Sequence, residues 1–213
     1  MELINPLAEE YAALFTSPED ELLTEIHQNT IDTHAHAHML SSRTQGKFLS
    51  FISTIIQPKF VLEIGSFTGF SALCLVQGLQ NDGELHTIEL REEDASIAKK
   101  NFSISQWNKK IHLHIGNALE IIPTLPFEWD LVFIDADKTG YLAYYELILP
   151  HLSERGIIIV DNVLFHGQVL EEPIKGKNAV AIHKFNEYVA HDPRTEQVLL
   201  TLRDGLMLIK KKK

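Results

Sequence analysis

Acidic and amide side chains follow two apolar runs that are typical of buried strands. One run ends in Asp135, Ala136, Asp137 and Lys138, and the other ends in Asp161 and Asn162. Because the carboxyl ends of neighbouring parallel strands meet at one edge of a sheet, we expect Asp135, Asp161 and Asn162 to lie close together. Carboxylate and amide oxygens are hard ligands that suit Mg²⁺, Mn²⁺ or Ca²⁺ and suit zinc or copper poorly. The pattern therefore predicts a divalent-cation site that leaves positions for water and substrate.

A glycine-containing turn follows an earlier apolar run, Phe60–Ile64, which is typical of a central parallel strand. A phosphate-binding P-loop would need Lys and then Ser or Thr after Gly69, and Phe70 stands there instead. A dinucleotide fingerprint would need a glycine at Phe67, so NAD is disfavoured, although it stays open. Bare backbone at Gly65 and Gly69 would let a small molecule approach closely. The turn therefore favours a nucleoside ligand without phosphate.

Two acids and a small residue support the nucleoside interpretation. Glu89 ends the next predicted strand, where a carboxylate could accept hydrogen bonds from both ribose hydroxyls. Glu63 lies inside the first apolar run, and a buried carboxylate is costly unless it is paired or used. Gly116 and Ala118 follow a third strand, and the small Ala118 would leave room for an adenine ring. Two ordinary strand-end acids, and a plain helix start at Ala118, remain alternatives at this stage.

The histidines at positions 34, 36 and 38 invite a metal interpretation. On a helix His34 and His38 would share one face, but the stretch has no carboxylate partner nearby. Exposed or hydrogen-bonded histidines are therefore the preferred interpretation of this stretch.

Composition limits the functional classes. The 213 residues are 45% hydrophobic, which is enough for one full core, and we expect a single domain over 1–213. A net charge of -10 argues against a broad basic surface for nucleic acid or anionic membranes. Cys74 is the only cysteine, which excludes an intramolecular disulfide and fits a reducing compartment. With no charged leader before an apolar run and no long apolar stretch, we expect a cytoplasmic protein without membrane attachment.

The chemistry-bearing residues are positioned by alternating strand and helix patterns. Residues 1–57 read as an N-terminal helical cap, with a second helix starting at Ser17 and Pro18, and residues 58–213 read as an α/β core. Helices are predicted over 71–79, 92–105, 139–152 and 178–190, and strands over 60–64, 85–89, 111–115, 129–135 and 156–161. A final hairpin joins 196–202 to 206–210. This alternation predicts an α/β fold, doubly wound around a mostly parallel seven-stranded sheet with an antiparallel C-terminal edge strand.

Taken together, these residues resemble the magnesium-dependent class I O-methyltransferases of the catechol and caffeoyl-coenzyme A type, whose fold is Rossmann-like. The likeness runs from about Met39 to the last strand. The matching stretches are Leu62 to Ser71, Phe133 to Lys138 followed by Tyr141, Asp161 to Gly167, Asp192 to Arg194, and Asp204 with Gly205. The first of these resembles the family's S-adenosylmethionine motif, and the second resembles its metal and catalytic segment.

The resemblance implies a role for each matching residue. The residues it implies for S-adenosylmethionine are Met39, Glu63, Gly65, Ser66, Ser71, Glu89, Gly116, Ala118, Asp135 and Asp137. Those it implies for the divalent ion, Mg²⁺ with Mn²⁺ or Ca²⁺ as alternatives, are Asp135, Asp161 and Asn162. Lys138 would be the general base, although a surface cation paired with Asp137 is an alternative role. Phe165 would stand against the substrate ring, where plant members carry Trp.

The resemblance also implies a methyl acceptor and a homodimer. Residues 1–18 are acidic and lack the basic residues expected to hold coenzyme A, so a small free catechol or hydroxycinnamate is the preferred substrate. The alternative is O-methylation of a hydroxylated uridine in tRNA with the same cofactor and metal site. That activity would need a local basic patch, for which Lys175 and Lys177 are the only hint. A non-enzymatic nucleoside-binding module would not need the Asp135, Asp161, Asn162 and Lys138 set.

Overall fold

The computed structural model describes residues 4–213, so the first three residues of the predicted N-terminal helical segment lie outside the described part. Within residues 4–213 the α-helices are α1 Pro6–Leu14, α2 Glu21–Thr33, α3 Arg43–Ile56, α4 Phe70–Leu75, α5 Glu92–Ser103, α6 Ala118–Ile121, α7 Tyr141–Ile148 and α8 Lys177–His191. The strands are β1 Phe60–Ile64, β2 Glu84–Glu89, β3 Ile111–Ile115, β4 Trp129–Ile134, β5 Leu152–Asp161, β6 Thr195–Leu200 and β7 Leu206–Lys211.

The strands form one seven-stranded sheet in the order β3-β2-β1-β4-β5-β7-β6. The first five strands in this order run parallel, and β7 runs antiparallel to both β5 and β6. The predicted fold class and the C-terminal hairpin are confirmed. The chain reverses its winding between β1 and β4, which is the point where open α/β sheets bind ligands.

The central strands are covered on both faces, as their continuous apolar runs predict. Val61 and Leu62 point to opposite faces of β1, and both are fully buried. One core lies between the sheet and α7 and α8, and a second lies between the sheet and α3 and α4. This two-sided burial holds the strand ends, and therefore the site, in fixed register.

Several element boundaries differ from the predicted ones. The second helix begins at Glu21, because the Asp20 carboxylate caps it by accepting a hydrogen bond from Leu23 N at 2.8 Å. The predicted helices over 71–79 and 139–152 both end in single 3₁₀ turns, Val76–Gly78 and Leu149–His151. Strand β5 is longer than predicted, because it begins at Leu152, four residues before Gly156.

Of the N-terminal helices, α1 lies on the surface, whereas α2 and α3 pack into the second core. None of the residues of α1, all within the described part, is buried, and Leu7, Tyr11, Leu14 and Phe15 are 65–80% exposed. The more amphipathic α3 does pack on α4, with Leu49 fully buried. No helix within residues 4–213 has the length and apolar content needed to cross a membrane.

Candidate functional site

A cleft of roughly 1090 Å³ opens at the carboxyl ends of the parallel strands. Of the residues that the sequence predicted for the site, all except Glu63 line it. They are Met39, Gly65, Ser66, Ser71, Glu89, Gly116, Ala118, Asp135, Asp137, Lys138, Asp161, Asn162 and Phe165. The sheet order therefore brings together segments that are far apart in the sequence.

The glycine-containing turn after β1 packs directly on the end of β4. Gly65 has a φ of +98°, and a Cβ at this position would lie 1.9 Å from the Asp135 carbonyl oxygen. Gly69 has a φ of +87° and begins α4, where a Cβ would meet the Phe102 ring at 2.5 Å. The expectation that Gly69 leaves room for a ligand is wrong, because its close neighbour is a protein side chain and it does not line the cleft. Gly65 does line the cleft. Because a side chain there would collide with Asp135, packing alone explains the glycine, and a ligand is not needed to explain it.

Glu63 lies beneath the cleft floor and is fully buried. Its carboxylate accepts hydrogen bonds of 2.5 Å from the Ser71 and Thr87 hydroxyls, and Thr87 also pairs with Ser66. Burial raises the pKa of Glu63 to about 7, although the two hydroxyl donors lower it. Glu63 is therefore connected to the cleft by Ser71 directly and by Ser66 through Thr87.

Glu89 holds two turns of the backbone around the cleft. Its two carboxylate oxygens accept hydrogen bonds from Phe67 N at 2.8 Å and from Arg91 N at 2.9 Å. Each carboxylate oxygen can accept more than one hydrogen bond, so Glu89 retains capacity for ligand hydroxyls. The same contacts give Glu89 a structural role in shaping the glycine-containing turn.

Two further segments border this half of the cleft. Ala118 is buried at the start of the short α6, whose cap is the Asn117 side chain accepting from Leu119 N at 3.0 Å. Ala118 is both the first residue of α6 and part of the cleft lining, so a helix start and a place beside an adenine ring are compatible at this position. Met39 lies in a 3₁₀ turn at the cleft wall and is 38% exposed, which leaves its thioether accessible.

Two of the three predicted metal ligands, Asp135 and Asn162, contact the Lys138 ammonium in this structure. Its Nζ donates to Asp135 Oδ1 at 3.0 Å and to Asn162 Oδ1 at 2.7 Å. Burial and the nearby Asp135 carboxylate raise the pKa of Asp161, also on this wall, to about 7. The two carboxylates and the amide oxygen make this part of the cleft favourable for a positive charge. This donor chemistry fits a hard divalent ion.

Lys138 is part of the cleft and not a surface cation. Its side chain is 14% exposed, and its Nζ also donates to the Tyr141 hydroxyl at 2.6 Å. Burial lowers the pKa of Lys138, but Tyr141 and Asp135 outweigh that effect and the net shift is upward. The alternative pairing with Asp137 is wrong, because Asp137 accepts from the Tyr144 hydroxyl instead. Lys138 is therefore protonated when it contacts Asp135 and Asn162.

No sequence pattern predicted which residues hold the Asp161 carboxylate. Gln45 on α3 donates from Nε2 to Asp161 Oδ2 at 2.7 Å, and Arg203 donates from Nη1 to Gln45 Oε1 at 3.0 Å. Gln45 is fully buried, and a buried Gln on a predicted amphipathic helix is the only signal that sequence could offer. The N-terminal helices and the β6–β7 turn therefore meet at this carboxylate.

The loop after β5 shapes the open side of the cleft. Asn162, Phe165 and His166 have φ values of 57°, 44° and 55°, a conformation that side chains rarely adopt. The amide of Asn162 donates to Asp204 Oδ2 at 3.1 Å, which fixes the loop against the β6–β7 turn. Phe165 lines the cleft beside it, as the predicted wall for a substrate ring requires.

The N-terminal histidines are spread over a turn rather than along one helix face. His34 ends α2 and pairs through Nε2 with Asp94 Oδ1 at 3.0 Å. His36 precedes the 3₁₀ turn that contains His38.

Comparison with known proteins identifies the family of this chain. The sequence model of a family described as O-methyltransferase matches residues 13–212. A "Probable caffeoyl-CoA O-methyltransferase 2" from Dictyostelium discoideum is 35% identical over 179 residues, covering 81% of this chain and 78% of the relative. A "Catechol O-methyltransferase" from Niastella koreensis is 32% identical over 166 residues, covering 76% and 75%.

A solved structure agrees with the fold. The crystal structure of an SAH-bound methyltransferase from Podospora anserina superposes with a TM-score of 0.91 at 30% identity, covering 98% of this chain and 95% of that one. SAH is S-adenosylhomocysteine, which S-adenosylmethionine becomes when it gives up its methyl group.

Proposed function

This chain belongs to the O-methyltransferase family and is an S-adenosylmethionine-dependent O-methyltransferase, and we propose that it methylates a small catechol with the aid of a divalent metal ion. The acceptor would be a vicinal dihydroxy aromatic compound, either a free catechol or a hydroxycinnamate. The product would carry one methoxy group, and the cofactor would leave as S-adenosylhomocysteine.

The arrangement around Lys138 is the observation that carries the proposal. Oxygen atoms of Asp135 and Asn162 lie within 3.0 Å of the ammonium, and Asp161 is the last residue of the neighbouring strand β5. A site that only bound a nucleoside would not need two carboxylates, an amide and a lysine in addition to Glu89. We infer that Asp135, Asp161 and Asn162 would hold the metal, as their donor chemistry supports.

The residues of this chain would orient the acceptor and take up its proton. A bound divalent ion would supply positive charge that favours ionisation of a neighbouring hydroxyl. Lys138 is within hydrogen-bonding reach of two of the proposed metal ligands, so it would meet an acceptor hydroxyl at the same place. Acting as the base requires Lys138 to release the proton that it carries in this structure, and loss of its contacts to Asp135 and Asn162 would favour that release. Phe165 would fix the plane of the aromatic ring.

Charge favours a small acceptor over a coenzyme A thioester or tRNA. Residues 1–18 contain no lysine or arginine, and the whole chain carries a net charge of -10. A phosphate-bearing acceptor would have to approach against this charge.

We also propose a homodimer. Four apolar side chains on and just after α1 are exposed, and a second copy of the chain could cover them: Leu7, Tyr11, Leu14 and Phe15. Light scattering on the purified chain tests that assembly.

The decisive experiment measures methyl transfer from labelled S-adenosylmethionine to caffeic acid, with Mg²⁺ and with EDTA. We expect transfer that EDTA abolishes and that Asp161→Ala abolishes while the variant still binds S-adenosylhomocysteine in calorimetry. Parallel reactions with caffeoyl-coenzyme A and with a tRNA pool identify the acceptor class. Transfer that persists in EDTA would refute the requirement for a divalent metal ion. Transfer to tRNA alone would refute the proposal that the acceptor is a catechol.

Lys138→Met tests the proposed base separately. General-base catalysis typically contributes about 10²- to 10⁴-fold, so we expect kcat to fall by that factor with cofactor affinity retained. Lys109→Met, which changes an exposed lysine outside the cleft, is the matched control. An unchanged kcat in Lys138→Met would remove Lys138 from the mechanism.

A further inference from the structure

Three histidines and a glutamate cluster on one face of the sheet edge, outside the cleft. Glu84 and His86 lie two residues apart on β2, and His112 and His114 lie two residues apart on β3. His86 is paired directly with His112 in the parallel register, so all four side chains share a face. The His86 ring lies nearly parallel to the rings of His112 and His114, at centroid distances of 4.8 and 5.3 Å.

The potential ligand atoms of Glu84, His86 and His112 lie close together. Glu84 Oε2 lies 3.4 Å from His86 Nε2 and 3.5 Å from His112 Nε2, and suitable atoms of all three lie within 4.8 Å of one another. These separations exceed the 2.7–3.2 Å of ordinary N–H···O hydrogen bonds. Two metal–ligand bonds of about 2.0–2.1 Å at a tetrahedral angle span about 3.4 Å. The two separations from Glu84 therefore match the edges of a coordination tetrahedron better than they match hydrogen bonds.

A buried nitrogen without a partner points into the same space. His86 is 5% exposed, and its Nε2 has no hydrogen-bond partner among the described residues. Its other ring nitrogen, Nδ1, lies 3.0 Å from His114 Nε2. If Nδ1–H donates to His114, the lone pair of His86 Nε2 is free to bind a metal. Metal-binding histidines are usually held in this way, through a hydrogen bond from the second ring nitrogen.

We propose that Glu84, His86 and His112 bind a zinc-type transition-metal ion that joins the edge strand β3 to β2. Two imidazoles and one carboxylate are the ligand types that Zn²⁺ accepts, with a water molecule in the fourth position. The side chains of Glu84 and His112 are 42% and 43% exposed, so the ion and its water can enter from solvent. Phe127 and Trp129 pack against His86 from the core side and hold its ring in place.

This site differs in chemistry from the site around Asp135 and Asp161. The nitrogen ligands favour Zn²⁺, Co²⁺ or Ni²⁺ over Mg²⁺, whereas the all-oxygen set in the cleft favours Mg²⁺. Glu84 begins β2, whereas the cleft lies at the opposite, carboxyl end of that strand. A metal here would act on the stability of the sheet edge and would not touch the reacting groups.

Titration of the full chain with Zn²⁺ against a chromophoric chelator, in excess Mg²⁺, tests the site. We expect one tight equivalent in the unmodified protein and an affinity at least about tenfold lower in both His112→Ala and Glu84→Gln. His183→Ala is the matched control, because His183 and Glu187 also form a half-exposed pair at 3.5 Å but have no third ligand within residues 4–213. That variant should bind Zn²⁺ like the unmodified protein.

Two further measurements separate metal binding from a folding defect. Co²⁺ should give the intense visible absorption of a four-coordinate site in the unmodified protein and lose it in His112→Ala. Zn²⁺ should raise the unfolding midpoint of the unmodified protein but not that of His112→Ala, while both bind S-adenosylhomocysteine equally well. The proposal is overturned if no stoichiometric Zn²⁺ binds in excess Mg²⁺, or if His112→Ala and Glu84→Gln bind it with unchanged affinity.

Discussion

Replacing Glu63 by Gln should stabilise the cofactor-free protein and weaken cofactor binding at the same time. Glu63 is fully buried, and its carboxylate is held by only two hydroxyls, from Ser71 and Thr87. Gln has nearly the same shape and can keep hydrogen bonds to both hydroxyls, because a hydroxyl both donates and accepts. The substitution therefore removes the buried negative charge and little else.

The magnitude follows from the pKa of Glu63, which burial raises from an ordinary value of 4.5 to about 7. The folded state holds this proton more tightly than the unfolded state, so the stability of the protein falls as pH rises from 4.5 to 7. The full difference corresponds to about 3 kcal/mol of unfolding free energy above pH 7. Glu63→Gln does not ionise, so it should be more stable by about that amount at pH 8 and by almost nothing at pH 4.

Cofactor affinity should move in the opposite direction. Ser71 and Ser66 line the cleft and are connected to the Glu63 carboxylate, so that its charge strengthens their hydrogen bonds. Exchanging a charged acceptor for a neutral one costs about 1.4 kcal/mol, which is about tenfold in affinity.

Urea unfolding between pH 4 and pH 8, with calorimetry of S-adenosylhomocysteine at pH 8, checks both effects. Glu128→Gln, at an exposed position, is the control and should change stability by less than about 0.5 kcal/mol. The reasoning fails if Glu63→Gln is less stable than the unmodified protein at pH 8, or if the stability difference does not shrink at acidic pH.

Three other substitutions have defined outcomes. Gly65→Ala should cost at least about 3 kcal/mol in urea unfolding, because its Cβ would collide with the Asp135 carbonyl oxygen; wild-type stability would contradict this. Glu89→Gln should weaken S-adenosylhomocysteine binding in calorimetry by at least about tenfold, since Glu89 holds two backbone N–H groups at the cleft. Arg194→Met should destabilise the protein by about 1–3 kcal/mol at pH 7, because hydrogen bonds from Arg194 lower the pKa of Asp192 to about 2. That loss should vanish in unfolding experiments below pH 2, where Asp192 is protonated.

The fold was predictable because its signals are local and repeated. The apolar run at Phe60–Ile64, buried on both faces, could only be a central strand, and the turn at Asp204 and Gly205 marked the hairpin. Boundaries were less predictable, because they depend on single contacts. Asp20 rather than Ser17 caps α2, and β5 extends to Leu152 by pairing with Trp129 across a register shift.

The site was predictable as a set of residues but not as a set of contacts. Strand-end positions brought Asp135, Asp161 and Asn162 to one edge without any knowledge of the helices. The contact between Gln45 and Arg203 spans 158 residues, and no local pattern records it. Nor does the sequence reveal that Glu63 lies beneath the cleft, because burial depth depends on how Ser71 and α4 fold over the strand.

The strand order divides the chemistry between two parts of the chain. β1, β2 and β3, with the turns that follow them, supply the glycine-containing turn, Glu89 and Ala118, whereas β4 and β5 supply Asp135, Asp161 and Asn162. If the proposed roles hold, we expect mutations in the second part to affect the choice of acceptor more than the binding of the methyl donor. A recombinant that exchanges the chain after residue 128 for the matching part of a relative should inherit the relative's acceptor preference. It should keep its own Gly65, Glu89 and Ala118 on the donor side, while Asp135 and Asp137 would come from the relative.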